Sequence, residues 1–107
     1  MNNQVETKTD LTVATEILKQ LGGRHFIAMT GCKNLFAENN GLKMKLGRNT
    51  SGAQYLFITL NGLDLYDMQF LSIKKDGQRI IRKECNNLYF DMLQTTFTEV
   101  TGLYTHL

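Results

Sequence analysis

The middle of the chain, residues 25–85, consists of short apolar runs separated by the pairs Asn40-Gly41, Asn61-Gly62 and Asp76-Gly77. Asn-Gly and Asp-Gly pairs favour the tight turns that join neighbouring antiparallel strands. The sequence contains no proline, so glycine and asparagine mark the ends of its elements. This pattern predicts five or six short strands that form a mainly antiparallel sheet.

The run over residues 42–46 alternates strictly, because Lys43 and Lys45 separate two leucines and a methionine. Successive side chains of a strand point to opposite faces, so one face is apolar and the other carries both lysines. Residues 55–60 are apolar at nearly every position, which is typical of an interior strand covered on both faces.

Helical patterns flank this region. The first has apolar residues at spacings of three and four: Leu11, Ala14, Leu18 and Leu21. It predicts a helix that begins at Thr9 or Asp10 and ends at Gly22-Gly23. The second stripe predicts a C-terminal helix capped by Asn86 or Asn87 and ended by Gly102: Tyr89, Leu93, Phe97 and Val100.

The whole chain is therefore predicted to be one α+β domain. It has an N-terminal helix, five to six short strands, of which residues 25–29 are the first, and a C-terminal helix. We assign residues 1–8 to a flexible polar tail and residues 9–107 to the domain.

Composition excludes some functions. Twelve Lys and Arg face ten Asp and Glu, and this balance indicates no nucleic-acid or membrane partner by charge alone. The first ten residues are polar and no apolar run approaches the length of a membrane span, so we expect a cytoplasmic protein without a membrane partner. Cys32 and Cys85 lack close spacing, so we expect reduced thiols.

The basic residues gather in residues 33–48 and 74–84, whereas residues 85–107 contain two acidic residues and no Lys or Arg. A two-residue loop at Asp76-Gly77 would pair Lys74 with Arg79, Ser72 with Ile81, and Phe70 with Lys83. This register places Lys74, Arg79 and Lys83 on one face, together with Tyr66 and Phe70. Aromatic and basic side chains interleaved on a sheet are typical of surfaces that bind single-stranded nucleic acid.

We therefore predict a non-enzymatic protein that binds DNA or RNA. The predicted site consists of Lys43, Lys45, Arg48, Tyr66, Phe70, Lys74, Arg79 and Lys83. The alternative interpretation of the basic hairpin is a solvated edge that blunts aggregation.

Two other functions are compatible with the sequence. The first is a protein-interaction module that forms a homodimer, or binds another protein, through an apolar patch of Phe57, Met68 and Phe70. The second is an enzyme in which Cys32 is the nucleophile and His25 the base, with Asp64 or Asp67 orienting the histidine. Asp64 and Asp67 are spaced to point to opposite faces of a strand, which argues against a shared acid–base site.

No cofactor or metal is expected. The possible ligands His25, Cys32, Cys85 and His106 lack the close spacing of structural zinc sites. The loop over residues 47–52 has the glycine spacing of a phosphate-binding loop, but Ala53-Gln54 replaces the required Lys-Ser/Thr. That loop is interpreted either as a mobile connection or as a weak anion site that uses Arg48.

Several segments resemble small uncharacterised proteins of bacteriophages and integrated mobile elements: residues 21–34, 58–61, 65–68 and 97–103. The resemblance covers nearly the whole chain after the tail. It implies a genomic setting and a stand-alone small domain, and it carries over neither an activity nor catalytic residues.

Overall fold

The structure, a computed structural model, describes residues 11–38 and 40–105. The predicted tail, the predicted helix start at Thr9 or Asp10, and His106 lie outside these residues. The elements follow one another as α1 (Leu11–Leu21), α2 (Gly23–Thr30), β1 (Lys33–Glu38), β2 (Gly41–Lys45), β3 (Tyr55–Leu60), β4 (Tyr66–Ile73), β5 (Arg79–Leu88), a short 3₁₀ turn (Phe90–Met92) and α3 (Leu93–Thr101). The predicted α+β class is confirmed.

The five strands form one antiparallel sheet in the order of the sequence, β1-β2-β3-β4-β5. The first hairpin is present as predicted, but Gly41, which was predicted to lie in the turn, pairs with Glu38 and is the first residue of β2. β3 is the central strand, as predicted, but the prediction that both of its faces are covered is wrong: Leu56 and Ile58 are buried, whereas Phe57 is half-buried and Thr59 is exposed. The edges of the sheet are β1 and β5, and β5 is the longest strand.

The prediction of a strand over residues 25–29 is wrong, because these residues belong to α2. Gly22 adopts φ 123°, which lets the chain turn sharply after α1 and begin a second helix immediately. Phe26 and Thr30 lie one helical turn apart and are both buried. A segment this short shows too little periodicity to separate a helix from a strand.

The helices and one face of the sheet enclose a single hydrophobic core. Leu42, Met44 and Leu46 are buried in it, so the predicted alternation of β2 is confirmed. The ring of Phe97 from α3 lies 5.0 Å from that of Phe26 and 6.5 Å from that of Phe70, measured between centroids. These aromatic contacts join both helical segments to β4 at the centre of the domain.

The β4–β5 hairpin is joined by three residues, Lys75-Asp76-Gly77, and not by the predicted two. The backbone N–H of Lys74 donates to the carbonyl of Gln78 at 2.9 Å, and Gly77 adopts φ 90°. A three-residue loop with glycine in the left-handed region is the next commonest hairpin connection.

The longer loop shifts the register by one residue. Arg79 pairs with Ile73, and Ile80 with Ser72, so the predicted pairs of Arg79 with Lys74 and of Ile81 with Ser72 are wrong. An irregularity at Arg82 then restores the predicted pair of Phe70 with Lys83. Because one residue separates the two faces of a strand, Arg79 and Lys83 lie on opposite faces.

The C-terminal helix begins later than predicted. Asn86 and Asn87 belong to β5, where Asn87 has φ 57° at a second irregularity, so neither caps a helix. Gly102 ends α3 in the left-handed conformation, as predicted. Within the described ranges, no helix is long and apolar enough to cross a membrane.

Candidate nucleic-acid interface

The two faces of the sheet differ in what covers them. The core residues of β2, β3 and β4 face the helices, whereas residues that alternate with them lie on the opposite face. No helix from residues 11–38 or 40–105 contributes to a core on that side. We call it the open face, and it carries aromatic, basic, acidic and polar side chains: Phe36, Glu38, Lys43, Lys45, Tyr55, Phe57, Asp67, Gln69, Arg79 and Glu84.

A cluster of aromatic rings and cations occupies the centre of the open face. The Nζ of Lys43 lies 5.2 Å from the ring centroid of Phe57 and 6.0 Å from that of Phe36. The guanidinium carbon of Arg79 lies 5.3 Å from the Phe57 ring centroid. Four strands, β1, β2, β3 and β5, therefore contribute to one cluster, in which both cations are within cation–π distance of Phe57.

Strand pairing explains how these residues meet. Lys43 stands between Phe36 and Phe57 in adjacent strands. Arg79 reaches the same ring from β5, because the three-residue loop places it on the open face opposite Ile73. With the predicted two-residue loop, Arg79 would lie opposite Lys74.

β1 is interrupted by an irregularity, and a groove lies there beside the cluster. The register shifts between Lys33 and Phe36, and Asn34 adopts φ 55°. The groove has a volume of about 420 Å³. It is lined by Asn34, Leu35, Phe36, Lys43, Met44, Lys45 and Tyr55.

A smaller groove of about 300 Å³ lies next to the first and shares Lys45 with it. Arg48 lines it from the loop that follows β2. The Asn49 amide nitrogen donates to the carbonyls of Gly47 and Ala53, at 2.8 and 2.9 Å, so the loop is held by its own hydrogen bonds. Lys43, Lys45 and Arg48 thus lie along two adjoining grooves.

Three carboxylates share the open face with its basic residues, those of Glu38, Asp67 and Glu84. In the part of the chain that the structure describes, no carboxylate forms an ion pair with Lys43, Lys45 or Arg79. Lys33 and Lys45 are direct partners across β1 and β2. Like charges placed opposite each other are destabilising, and a bound anion would remove this cost.

Four residues of the predicted site lie elsewhere. Tyr66 and Phe70 are 7% and 0% exposed and belong to the core, so they cannot stack on a ligand. Lys83 lies on the helix side, where it lines a separate groove between β5 and α3. Lys74 is exposed beside the β4–β5 turn and is not part of the cluster.

Sequence reasoning missed the aromatic members of the open face as nucleic-acid contacts. Phe36 is 56% exposed, and Phe57 and Tyr55 are half-buried. The alternation of β3 contained the signal, because Phe57 stands between the core residues Leu56 and Ile58. Which face the helices would cover was not evident from that strand alone.

The predicted self-association patch does not exist as one surface. Phe57 lies on the open face, whereas Met68 and Phe70 are fully buried on the other side. A different set of exposed apolar residues lies where β5 connects to α3. Tyr89 and Phe90 are 62% and 60% exposed there, and Met92 is also exposed.

The environment of Cys32 does not favour a reactive thiolate. Burial raises the pKa of the Cys32 thiol, which a hydrogen bond with Thr30 only partly offsets. Nucleophilic cysteines are found in sites that lower the pKa instead. His25 is exposed on α2.

The acidic residues near the β3–β4 turn have a structural role. Asp67 Oδ1 accepts hydrogen bonds from the Asn87 backbone, at 2.9 Å, and from the Asn61 amide, at 3.1 Å. Asp64 lies in the turn with φ 63°, not in a strand. Over residues 11–38 and 40–105, no three His, Cys, Asp or Glu side chains are grouped as metal ligands.

Comparisons of the chain with protein-family models, with curated proteins and with solved structures find no match.

Proposed function

We propose that this protein binds single-stranded nucleic acid across the open face of its sheet. The observation that carries the proposal is the convergence of Lys43 and Arg79 on the ring of Phe57. Stacking on aromatic side chains and pairing of phosphates with nearby cations are the two interactions by which sheet surfaces bind single strands. The open face supplies both within one cluster.

Together, the cluster and the two adjoining grooves form one path along the open face, which we call the track. Lys45 and Arg48 continue the row of cations past Tyr55, and Phe36 adds an exposed ring to the half-buried ring of Phe57. A strand on this path would place bases over the rings and phosphates against the side chains of Lys43, Lys45, Arg48 and Arg79. Duplex DNA, whose bases are already stacked on each other, would gain only the phosphate contacts.

The setting proposed for this activity is that of a cytoplasmic accessory protein of a phage or mobile element that has no catalytic role. The resemblance of residues 21–34 and later segments to small phage proteins supports this setting.

Fluorescence anisotropy tests the proposal. The labelled probes are single-stranded DNA, single-stranded RNA and duplex DNA, each titrated at about 50 and 200 mM salt. We expect the single strands to bind more tightly than the duplex, and binding to weaken as salt increases. Absence of binding by any single strand at low salt would contradict the proposal.

Two double variants with the same change in charge locate the site. Lys43→Gln with Arg79→Gln removes both cations from Phe57 and should weaken binding by roughly tenfold or more, since each phosphate contact adds to affinity. Lys83→Gln with Arg24→Gln removes two exposed cations that lie outside the cluster, and affinity should remain close to that of the unmodified protein. Equal losses in the two variants would show that only overall charge matters.

Protein association is a second candidate function, and the exposed residues Tyr89, Phe90 and Met92 favour it. Contiguous exposed apolar side chains often mark protein interaction sites. If this patch joins two copies, light scattering should give a mass above 12.2 kDa that Phe90→Ser returns to that value. A protein that stays at 12.2 kDa at all concentrations would contradict self-association.

A further inference from the structure

We infer that the groove beside the β1 irregularity selectively binds one adenine of the bound strand, through hydrogen bonds with the side-chain amide of Asn34. This inference rests on the proposed single-strand binding and adds base selectivity to it. The base would lie between the exposed ring of Phe36 and the side chain of Tyr55, which both line the groove.

The backbone at Asn34 gives the first support. An irregularity of this kind inserts one extra residue into a strand and redirects a side chain, and such features occur preferentially next to functional sites. Asn34 has φ 55°, a conformation that asparagine tolerates better than most residues. Asn34 lines the groove of about 420 Å³, which falls within the size range of small-ligand sites.

The chemistry of the groove gives the second support. Asn34 is exposed, and its amide makes no hydrogen bond to any residue that the structure describes. An asparagine amide donates and accepts at adjacent positions, which matches the N6 and N7 atoms of adenine. Lysine can also pair with guanine, but the two lysines that line this groove, Lys43 and Lys45, are assigned to the phosphates below.

The remaining groups of the groove serve the sugar–phosphate chain. Lys43 and Lys45 line it beside the aromatic residues, so a phosphate on either side of the base would meet a cation. Phosphate contacts fix the position of a strand, while contacts with base edges supply sequence preference. Asn34 is therefore assigned to selectivity, and the lysines to affinity.

The test compares a fluorescent oligothymidylate about ten nucleotides long, a usual site size for one small domain, with the same strand carrying one central adenine. We expect the adenine-containing strand to bind about tenfold more tightly, the discrimination typical of one bidentate contact. Asn34→Gly keeps the backbone conformation and removes the amide. This variant should bind both strands with the affinity that the unmodified protein has for oligothymidylate.

A second variant distinguishes recognition from a change in groove shape. Asn34→Asp preserves the size of the side chain but can only accept hydrogen bonds, so it should lose the preference for adenine. It should instead favour a strand with one central cytosine, whose amino group donates. Thermal unfolding of both variants shows whether they remain folded.

Each result is informative. If no strand binds the unmodified protein, the proposed function and this inference both fail. If the strands bind equally, or if Asn34→Gly keeps the preference for adenine, only the inference fails. Free AMP that binds as tightly as the adenine-containing strand would indicate a mononucleotide site and would also overturn the inference.

Discussion

Phe57 is the residue on which the open face depends. Its ring is half-buried, and cations from β2 and β5 lie 5.2 and 5.3 Å from its centroid. In the proposed binding mode the cations would move off the ring to reach phosphates, and the ring would then be available to a base. A substitution that keeps the bulk of Phe57 but removes its aromatic character should therefore affect binding more than folding.

Phe57→Leu should lower the affinity for single strands by roughly fivefold to a hundredfold, because a stacked base contributes about 1–3 kcal/mol. The free energy of unfolding should fall by less than about 1.5 kcal/mol, since the replacement is apolar and similar in size. Anisotropy measures the first effect and urea denaturation the second. Phe90→Leu, at an exposed position away from the open face, is the control and should leave affinity unchanged. Full affinity in Phe57→Leu would exclude stacking on this ring.

The burial of Cys32 predicts how the free energy of unfolding depends on pH. Desolvation raises the pKa of its thiol in the folded state above the ordinary value of 9.0. Below about pH 8 the thiol is neutral in both states, so its titration does not alter stability. Above that pH the unfolded chain loses the proton first, and the free energy of unfolding declines until the folded-state pKa is passed.

We therefore expect a smaller loss of stability between about pH 8 and 10 in Cys32→Ala than in the unmodified protein. Comparing the two proteins removes the contribution of other groups that titrate in this range. Urea denaturation at several pH values measures both slopes. Identical slopes would show that the Cys32 thiol does not gain its buried environment on folding.

At the scale of elements, the first hairpin depends on a close approach between β2 and β3. Gly41 is buried, and a Cβ there would clash with the carbonyl oxygen of Ile58. Gly41→Ala should therefore destabilise the fold by about 1–3 kcal/mol, the usual cost of overpacking. Gly62→Ala is the matched control, because nothing lies within 4 Å of its Cβ position. It should change stability by less than about 0.5 kcal/mol. Equal effects in urea denaturation would contradict this packing.

Local sequence predicted those elements whose pattern is long or strict. The alternation of residues 42–46 was sufficient to place Lys43 and Lys45 on the face opposite the core, as the structure shows. The helix at residues 23–30 was missed because its apolar spacing spans barely two turns. Asp76-Gly77 fits hairpin loops of two or three residues, so the loop length stayed undetermined.

The one-residue difference in that loop had a large effect on the predicted site. The longer loop places Arg79 near Phe57 and on the face opposite Lys83. The cluster therefore contains Arg79 but not Lys83, whereas the predicted site contained both. Core membership was equally hard to predict. Phe70 and Phe57 are both strand aromatics, and only the packing of the helices on one face makes the first buried and the second a candidate contact.

The molecule as a whole carries a net charge of only +2, so its binding must depend on where the charges lie. The open face and its adjoining groove contain four cations that the track would use: Lys43, Lys45, Arg48 and Arg79. The cations Lys83 and Arg82 line a groove on the helix side. A strand on the open face would not contact that groove.

The separation of the cations between the open face and the helix side predicts how binding depends on salt. Four phosphate contacts on a single strand should give a slope of about −3 for log K against log salt, because each contributes about −0.7. Lys45→Gln should make the slope less steep by about 0.7, whereas Lys83→Gln should leave it unchanged, since one side chain lies on the track and the other behind the sheet. Anisotropy titrations over a range of salt concentrations supply the three slopes. If both variants reduced the slope equally, the strand would have to contact both sides of the sheet, and the open face would not be the interface.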